Sequence, residues 1–269
     1  MDNQSDFVID FSKHFKNSQY VLEGEIGYQN YPDDYYDYEF DAEYIPVELT
    51  ALYQFNEHIY TGPMYHFKYS HIDFDDNNFA SNLIGAGYVH YSAVGWKFLY
   101  KDMPKGNIYH RQGFSFDLTG MHYSPVLGSS EEFSKIGMDF RHYYPFFEKS
   151  VLAFQITAKS AFGHIPFNYQ FDLENKGILR GGSERLGKYF IASQLEYRFP
   201  VFWRINAAVF AGLGNAANDL DNMTKKISFA GGIGPRIILN KKKNITVRFD
   251  FAINNDAEKG IYIRIKEAF

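Results

Sequence analysis

Cysteine is absent from this chain of 269 residues, tryptophan occurs twice and proline nine times, and no stretch stays uncharged and apolar for long. The lack of cysteine excludes disulfides and thiolate-bound metals, and it leaves the redox compartment unmarked. A membrane-crossing helix needs roughly 20 apolar residues in a row, so none is expected. Met1 to Phe11 lacks the basic, apolar and small-residue succession of a secretory signal. The chain is then either cytosolic or a mature form whose signal has been removed. Lysine and arginine number 27 against 32 aspartates and glutamates, a formal net charge of -5. With no basic excess to neutralise phosphates, nucleic acid is not an expected partner.

What the chain has in quantity is aromatic residues, 27 phenylalanines and 22 tyrosines, 19% of the whole with tryptophan counted. Its mean hydropathy is nonetheless -0.36. A chain both aromatic and polar does not describe a conventional apolar core. It does describe a transmembrane β-barrel, whose strands alternate lipid-facing apolar with lumen-facing polar residues and whose rims carry aromatic girdles.

The periodicity agrees. Ile245, Val247, Phe249 and Phe251 share one parity while Thr246, Arg248 and Asp250 take the other, which is period two and not 3.6. Ile261, Ile263 and Ile265 stand against Tyr262, Arg264 and Lys266, and Ile191, Leu195, Tyr197 and Phe199 against Ala192, Gln194, Glu196 and Arg198. The segments 20–28, 47–55, 63–69, 114–119, 135–141, 152–159 and 229–239 follow the same rule. With the glycine-rich stretches 83–96 and 205–212 they make about twelve strands, an even number as a single-chain bacterial barrel requires. Long and short connections alternate along the chain, the long ones at 29–43, 73–82, 124–133, 163–188, 215–226 and 254–259, with 101–112 a moderately longer exception among the short ones. That alternation distinguishes external loops from periplasmic turns and puts both termini in the periplasm. The expected organisation is a short periplasmic segment over residues 1–18 and a barrel over 19–269, with 7–15 either a thirteenth short strand or a plug-like segment. The competing fold is a soluble β-sandwich, which also alternates.

Several ordered motifs resemble those of the BamA/TamA-type outer-membrane assembly superfamily, the bacterial surface antigen family. Gly163 to Phe167 followed by Ile178-Leu179-Arg180-Gly181-Gly182 is similar to that family's lumen-inserting loop and its R-G tip. Leu195 to Pro200 resembles the strand after that loop, Gly232-Ile233-Gly234-Pro235-Arg236 the G-x-G-x-R strand, and Val247-Arg248-Phe249-Asp250 the R-x-D strand. Phe269 stands where the family carries its C-terminal assembly signal.

The resemblance implies that Leu179, Arg180, Gly181 and Gly182 form a loop motif inside the barrel. Two departures stand out. The tip carries Gly182 where the family has an aromatic residue, and the partner strand reads Phe210-Ala211-Gly212-Leu213-Gly214 where the family has F-x-D-x-G. The acid that the family arginine would meet is missing. A buried arginine left unpaired costs several kcal/mol, so Arg180 is expected to dock on Glu196 or Asp250, which have lumen parity. Arg198, Arg236, Arg248 and Arg264 would complete a lumen network of mixed charge.

Other chemistry is less well supported by the residues. His122, Ser124, Ser129 and Ser130 are the nearest approach to a hydrolytic cluster but complete no triad. His66, His71 and His90 could converge on a metal, and Asp33, Asp34 and Asp37 with Asp73, Asp75 and Asp76 on calcium. The expectation is no enzyme, no metal and no cofactor. The resemblance implies a bacterial outer-membrane protein acting in membrane protein assembly or translocation. Its expected partners are outer-membrane lipids, the assembly machinery for its own insertion, and a separate periplasmic partner or a homo-oligomer. Only about 18 residues precede the first predicted strand, so the family's periplasmic POTRA domains are not expected here. The alternative role is a passive pore or structural membrane module.

Overall fold

The computed structural model describes residues 5–16, 18–35, 38–75, 83–103, 112–147, 149–173, 179–182, 185–240 and 245–265. Among them there is no α-helix, and hence none long and apolar enough to cross a membrane. The strands are β1 (Ser5–His14), β2 (Tyr20–Tyr35), β3 (Tyr38–Gln54), β4 (Ile59–Phe74), β5 (Gly87–Asp102), β6 (Gly113–Tyr123), β7 (Phe133–Phe147) and β8 (Ser150–Gly163). After the short pair β9 (Phe171–Asp172) and β10 (Leu186–Gly187) come β11 (Tyr189–Phe202), β12 (Ile205–Ala217), β13 (Ser228–Asn240), β14 (Ile245–Asn254) and β15 (Lys259–Ile265). Thirteen of these form one sheet in chain order, while β9 and β10 pair with each other. The described pairings are antiparallel throughout.

Among the described residues the main sheet has thirteen strands where about twelve were expected, because residues 5–14 form β1, the thirteenth strand that was one of the two readings of 7–15. They pair with β2 from Ser5 opposite Asn30 to His14 opposite Val21, so the segment expected in the periplasm belongs to the sheet. The extra strand also reverses the end at which the described chain starts. Ser5 lies beside Asn30, toward the Tyr35–Tyr38 hairpin end, where the long loop was expected, and not at the turn end where an even count put both termini.

Strands are also longer than the 9 to 11 residues that cross a bilayer. β2 and β3 continue their ladder through the expected loop 29–43, as far as Tyr35 opposite Tyr38. Asp33 faces Phe40 and Asp41 faces Asp73 in that extension. Side-chain alternation continues there on β3, where Phe40, Ala42 and Tyr44 are buried while Asp41 is exposed and Glu43 partly so.

The chain divides into two compact units. One comprises Met1–Leu99, Leu118–Ile136 and Ala161–Gln170, the other Tyr100–Asp117, Gly137–Ser160 and Phe171–Phe269. The second unit has a water-soluble protein's polarity turned inside out. Ile191, Leu195, Val209, Leu213, Phe229, Ile233 and Phe251 are exposed, while Gln194, Glu196, Arg198, Arg236, Thr246, Arg248 and Asp250 are buried. Isolated exposed apolar residues are ordinary, but whole strand faces of them over a charged interior fit a lipid-facing surface. In the first unit the buried faces are aromatic, with Phe40, Tyr44, Tyr91, Tyr123 and Phe133 inside, while Ile26, Leu49, Val94 and Trp96 are exposed.

Candidate functional site

Period two puts Gln194, Glu196 and Arg198 on the buried side of β11, Arg236 on that of β13, and Thr246, Arg248 and Asp250 on that of β14. Leu179–Gly182 lies against these faces. Arg180 is 1% exposed. Its Nη1 donates to Asp250 Oδ2 at 2.6 Å and its Nη2 to Glu196 Oε2. The structure thus brings Arg180 onto both acids, where the sequence pointed to one of them.

Each acid is shared. Glu196 Oε1 accepts from Arg198 Nε at 2.6 Å and lies 3.5 Å from Arg236 Nη2, while Asp250 Oδ1 accepts from Arg236 Nη1. Arg248 Nη1 lies 3.3 Å from Asp250 Oδ2. The Arg180 guanidinium carbon sits 3.5 Å from the centroid of the Phe210 ring, a cation–π contact worth about 2 kcal/mol when desolvated. Charge pairing, hydrogen bonding and ring stacking together offset the desolvation cost that a lone buried guanidinium would carry.

The tip needs its glycine. Gly181 has φ +81, the left-handed region that a Cβ disfavours, and its N–H donates to Tyr262 Oη at 2.9 Å. The missing family acid also has a physical reason. A Cβ on Gly212 would stand 2.7 Å from Leu179 Cδ1 and 2.7 Å from the Ser193 carbonyl oxygen. Leu179 occupies the space that a side chain at 212 would fill, and the acids come instead from β11 and β14.

Of the residues singled out from sequence, Leu179, Arg180, Gly181, Gly182, Glu196, Asp250, Arg198, Arg236 and Arg248 come together. Arg264 does not join them: it stands opposite Arg248 in the ladder but is exposed. Phe269, Ile178, Asp37 and Asp76 lie outside the described residues. Phe210 and Tyr262 were missed, although both have the parity of the inward set. The contacts of the cluster hold the loop tip in place.

The first unit holds an earlier part of the same loop by different means. Tyr169 is buried, its ring centroid 4.7 Å from that of Tyr91, 5.0 Å from Phe133 and 5.2 Å from Tyr123. Lys135 and Lys68 place ammonium groups 4.8 and 5.4 Å from the same ring. Phe167 packs on Tyr35, Phe40 and Phe74, and its N–H donates to the Ile84 carbonyl at 3.0 Å. Nothing in the sequence singles these aromatics out among the 49 phenylalanines and tyrosines of the chain.

The remaining candidates disperse. His66 is on the buried face of β4, 3.8 Å from Glu48, whereas His71 faces the other way and stacks on Tyr88 with centroids 3.7 Å apart. Among the described residues no three acids or histidines are placed to hold a metal ion. Ser124 caps a 3-10 turn, Ser129 Oγ donates to the Glu131 carbonyl at 2.7 Å, and Ser130 Oγ accepts from the His90 N–H. His122 meets none of these three but pairs through Nδ1 with Ser134 Oγ at 2.9 Å.

Comparison with known proteins gives a consistent fold. The profile of the Omp85 superfamily domain matches residues 2–269. A structure of BamA from Haemophilus ducreyi lacking POTRA domains 1-3 superposes with a TM-score of 0.73 at 13% identity, covering 98% of this chain and 62% of that one. CdiB from Escherichia coli gives 0.68 at 11% identity, covering 97% and 52%, and CdiB from Acinetobacter baumannii 0.66 at 10%, covering 97% and 49%. The chain therefore spans about half to three fifths of the proteins whose fold it shares. A search of curated sequences finds no match.

Proposed function

Because this chain belongs to the Omp85 superfamily, we propose that it acts at the bacterial outer membrane in membrane protein assembly or translocation. One observation carries the reading: the loop tip Leu179–Gly182 is buried on a shared acid pair, Glu196 and Asp250, by an arginine with no exposed side-chain surface. A structural module or passive pore has no use for so costly an arrangement, since apolar residues would fill the same space at least as stably. The lipid-facing strand faces support membrane residence, and a separately encoded periplasmic protein or further copies of the chain would supply client capture.

The test is quantitative outer-membrane proteomics after depletion of the protein, with complementation by wild type and by Arg180→Ala. Loss of other barrels that wild type rescues and Arg180→Ala does not is the expected result. Unchanged barrel levels on depletion would overturn the proposal and favour the pore or structural role.

A further inference from the structure

We infer that the first compact unit binds a small linear polyamine, in a cavity of about 340 Å³ where Asp10, Glu23, Glu25 and Glu48 meet a single lining lysine, Lys97. That volume lies within the range of small-molecule sites. The carboxylates are open to a ligand, with Asp10 and Glu48 exposed and Glu23 and Glu25 partly so. Lys97 Nζ stands 4.0 Å from Glu23 Oε2, a long ion pair. Lys68 lies elsewhere, its ammonium over the Tyr44 ring at 3.6 Å from the centroid.

The register explains why this cavity wants a cation. Asp10 lies directly opposite Glu25, Glu25 opposite Glu48 and Glu48 opposite His66, one row across β1 to β4. Like charges directly opposite each other destabilise a sheet, so three carboxylates in a row carry a cost that bound positive charge relieves. His66, at the end of the row, is a second and independent observation. It is 9% exposed, and its Nδ1 has no hydrogen-bond partner among the described residues. Its Nε2 is aimed at the row, 3.8 Å from Glu48 Oε1 and beyond hydrogen-bond reach.

The lining specifies the ligand. With strands about 4.8 Å apart, the three acids extend over about 10 Å, and among the described residues no three acids or histidines are placed to hold a metal ion. A ligand that meets the whole row is therefore extended and charged at more than one point. Each terminal ammonium has three donors and no acceptor, which suits carboxylates and the Ser12 and Thr50 hydroxyls, while Phe11 and Met64 give methylene groups an apolar wall. Binding here requires no assembly activity, so its test is independent of the proposed function.

The experiment titrates the full chain, refolded in detergent, with spermidine at constant ionic strength by isothermal calorimetry. One saturable site is expected, and n-butylamine and magnesium chloride should bind far more weakly. Glu25→Gln and Glu48→Gln should each weaken spermidine about tenfold, the equivalent of one lost charge-assisted hydrogen bond. Asp221→Asn, an exposed change of equal charge between β12 and β13, should leave it unaltered. Without ligand, Glu48→Gln should unfold at a higher temperature than wild type, because a like charge leaves the row; weaker binding by a more stable protein is not a folding defect. Absence of saturable heat, equal affinity for n-butylamine or magnesium, or equal weakening by Asp221→Asn would overturn the assignment in favour of diffuse attraction. A lower unfolding temperature in Glu48→Gln would overturn the unrelieved repulsion on which it rests.

Discussion

The two places that receive the loop, the arginine cluster around Arg180 and the aromatic seat around Tyr169, solve one problem with opposite chemistry. Each buries a polar-ended side chain. In the second unit the stabilisation is directional: an arginine is held by two shared carboxylates and a ring face. In the first it is largely apolar, with Tyr91, Tyr123 and Phe133 about the Tyr169 ring. Directional contacts fix one geometry and fail sharply when a partner is lost, whereas packed rings lose stability in proportion to the surface removed. The cluster is therefore the register-setting element and the seat the bulk of the adhesion.

That contrast can be broken by substitution, read as unfolding free energy in detergent or lipid vesicles. Asp250→Asn should cost most, about 3 to 5 kcal/mol, because it leaves three buried guanidinium groups short of a countercharge. A loss below about 1 kcal/mol, the range of an exposed ion pair, would mean that solvent screens the cluster. Tyr169→Ala should cost about 3 kcal/mol through the cavity it leaves. Tyr169→Phe should be nearly neutral, since Tyr169 Oη has no hydrogen-bond partner among the described residues. If instead Tyr169→Phe costs as much as Tyr169→Ala, the seat is polar after all.

Restoring the acid of the related family sharpens the comparison further. Gly212→Asp should destabilise by about 1 to 3 kcal/mol through overpacking against Leu179, and Leu179→Ala in the same chain should relieve part of that cost. Additive losses in the double variant would show that Leu179 is not what excludes a side chain at 212. The smallest effect is expected at Arg264, exposed and opposite Arg248. Arg264→Met should change stability by no more than about 0.5 kcal/mol, as surface changes usually do, and in the stabilising direction because a like charge is removed. A clear loss would place Arg264 in the buried network.

Much of this was legible in the residues. The alternation of Ile191, Leu195 and Tyr197 with Gln194, Glu196 and Arg198 gave both the strand and its polarity, and the same parity placed Asp250 and Arg248 with them. The order of motifs pointed to Arg180 and its two candidate acids. Less legible was β1, where Phe7, Ile9 and Phe11 alternate but all ten residues are exposed, so the pattern marks a strand without showing what covers it. The extension of β2 and β3 past residue 29 was masked by its acidic, tyrosine-rich composition, which reads as a solvated loop although Phe40, Ala42 and Tyr44 alternate with Asp41 and Glu43. The aromatic seat was invisible, since a tyrosine in a loop carries no period that would reveal its neighbours.

The sequence by itself determined which residues share a face, because successive side chains on a strand must point to opposite sides, and hence that charge would be inside and apolar surface outside. It could not determine which inward residues meet. That Arg180 spans Glu196 and Asp250, that Leu179 fills the space above Gly212, and that Arg264 stays in solvent are outcomes of tertiary structure. They depend on register between strands far apart in the chain and on where a loop comes to rest, and side-chain parity limits those choices without selecting among them.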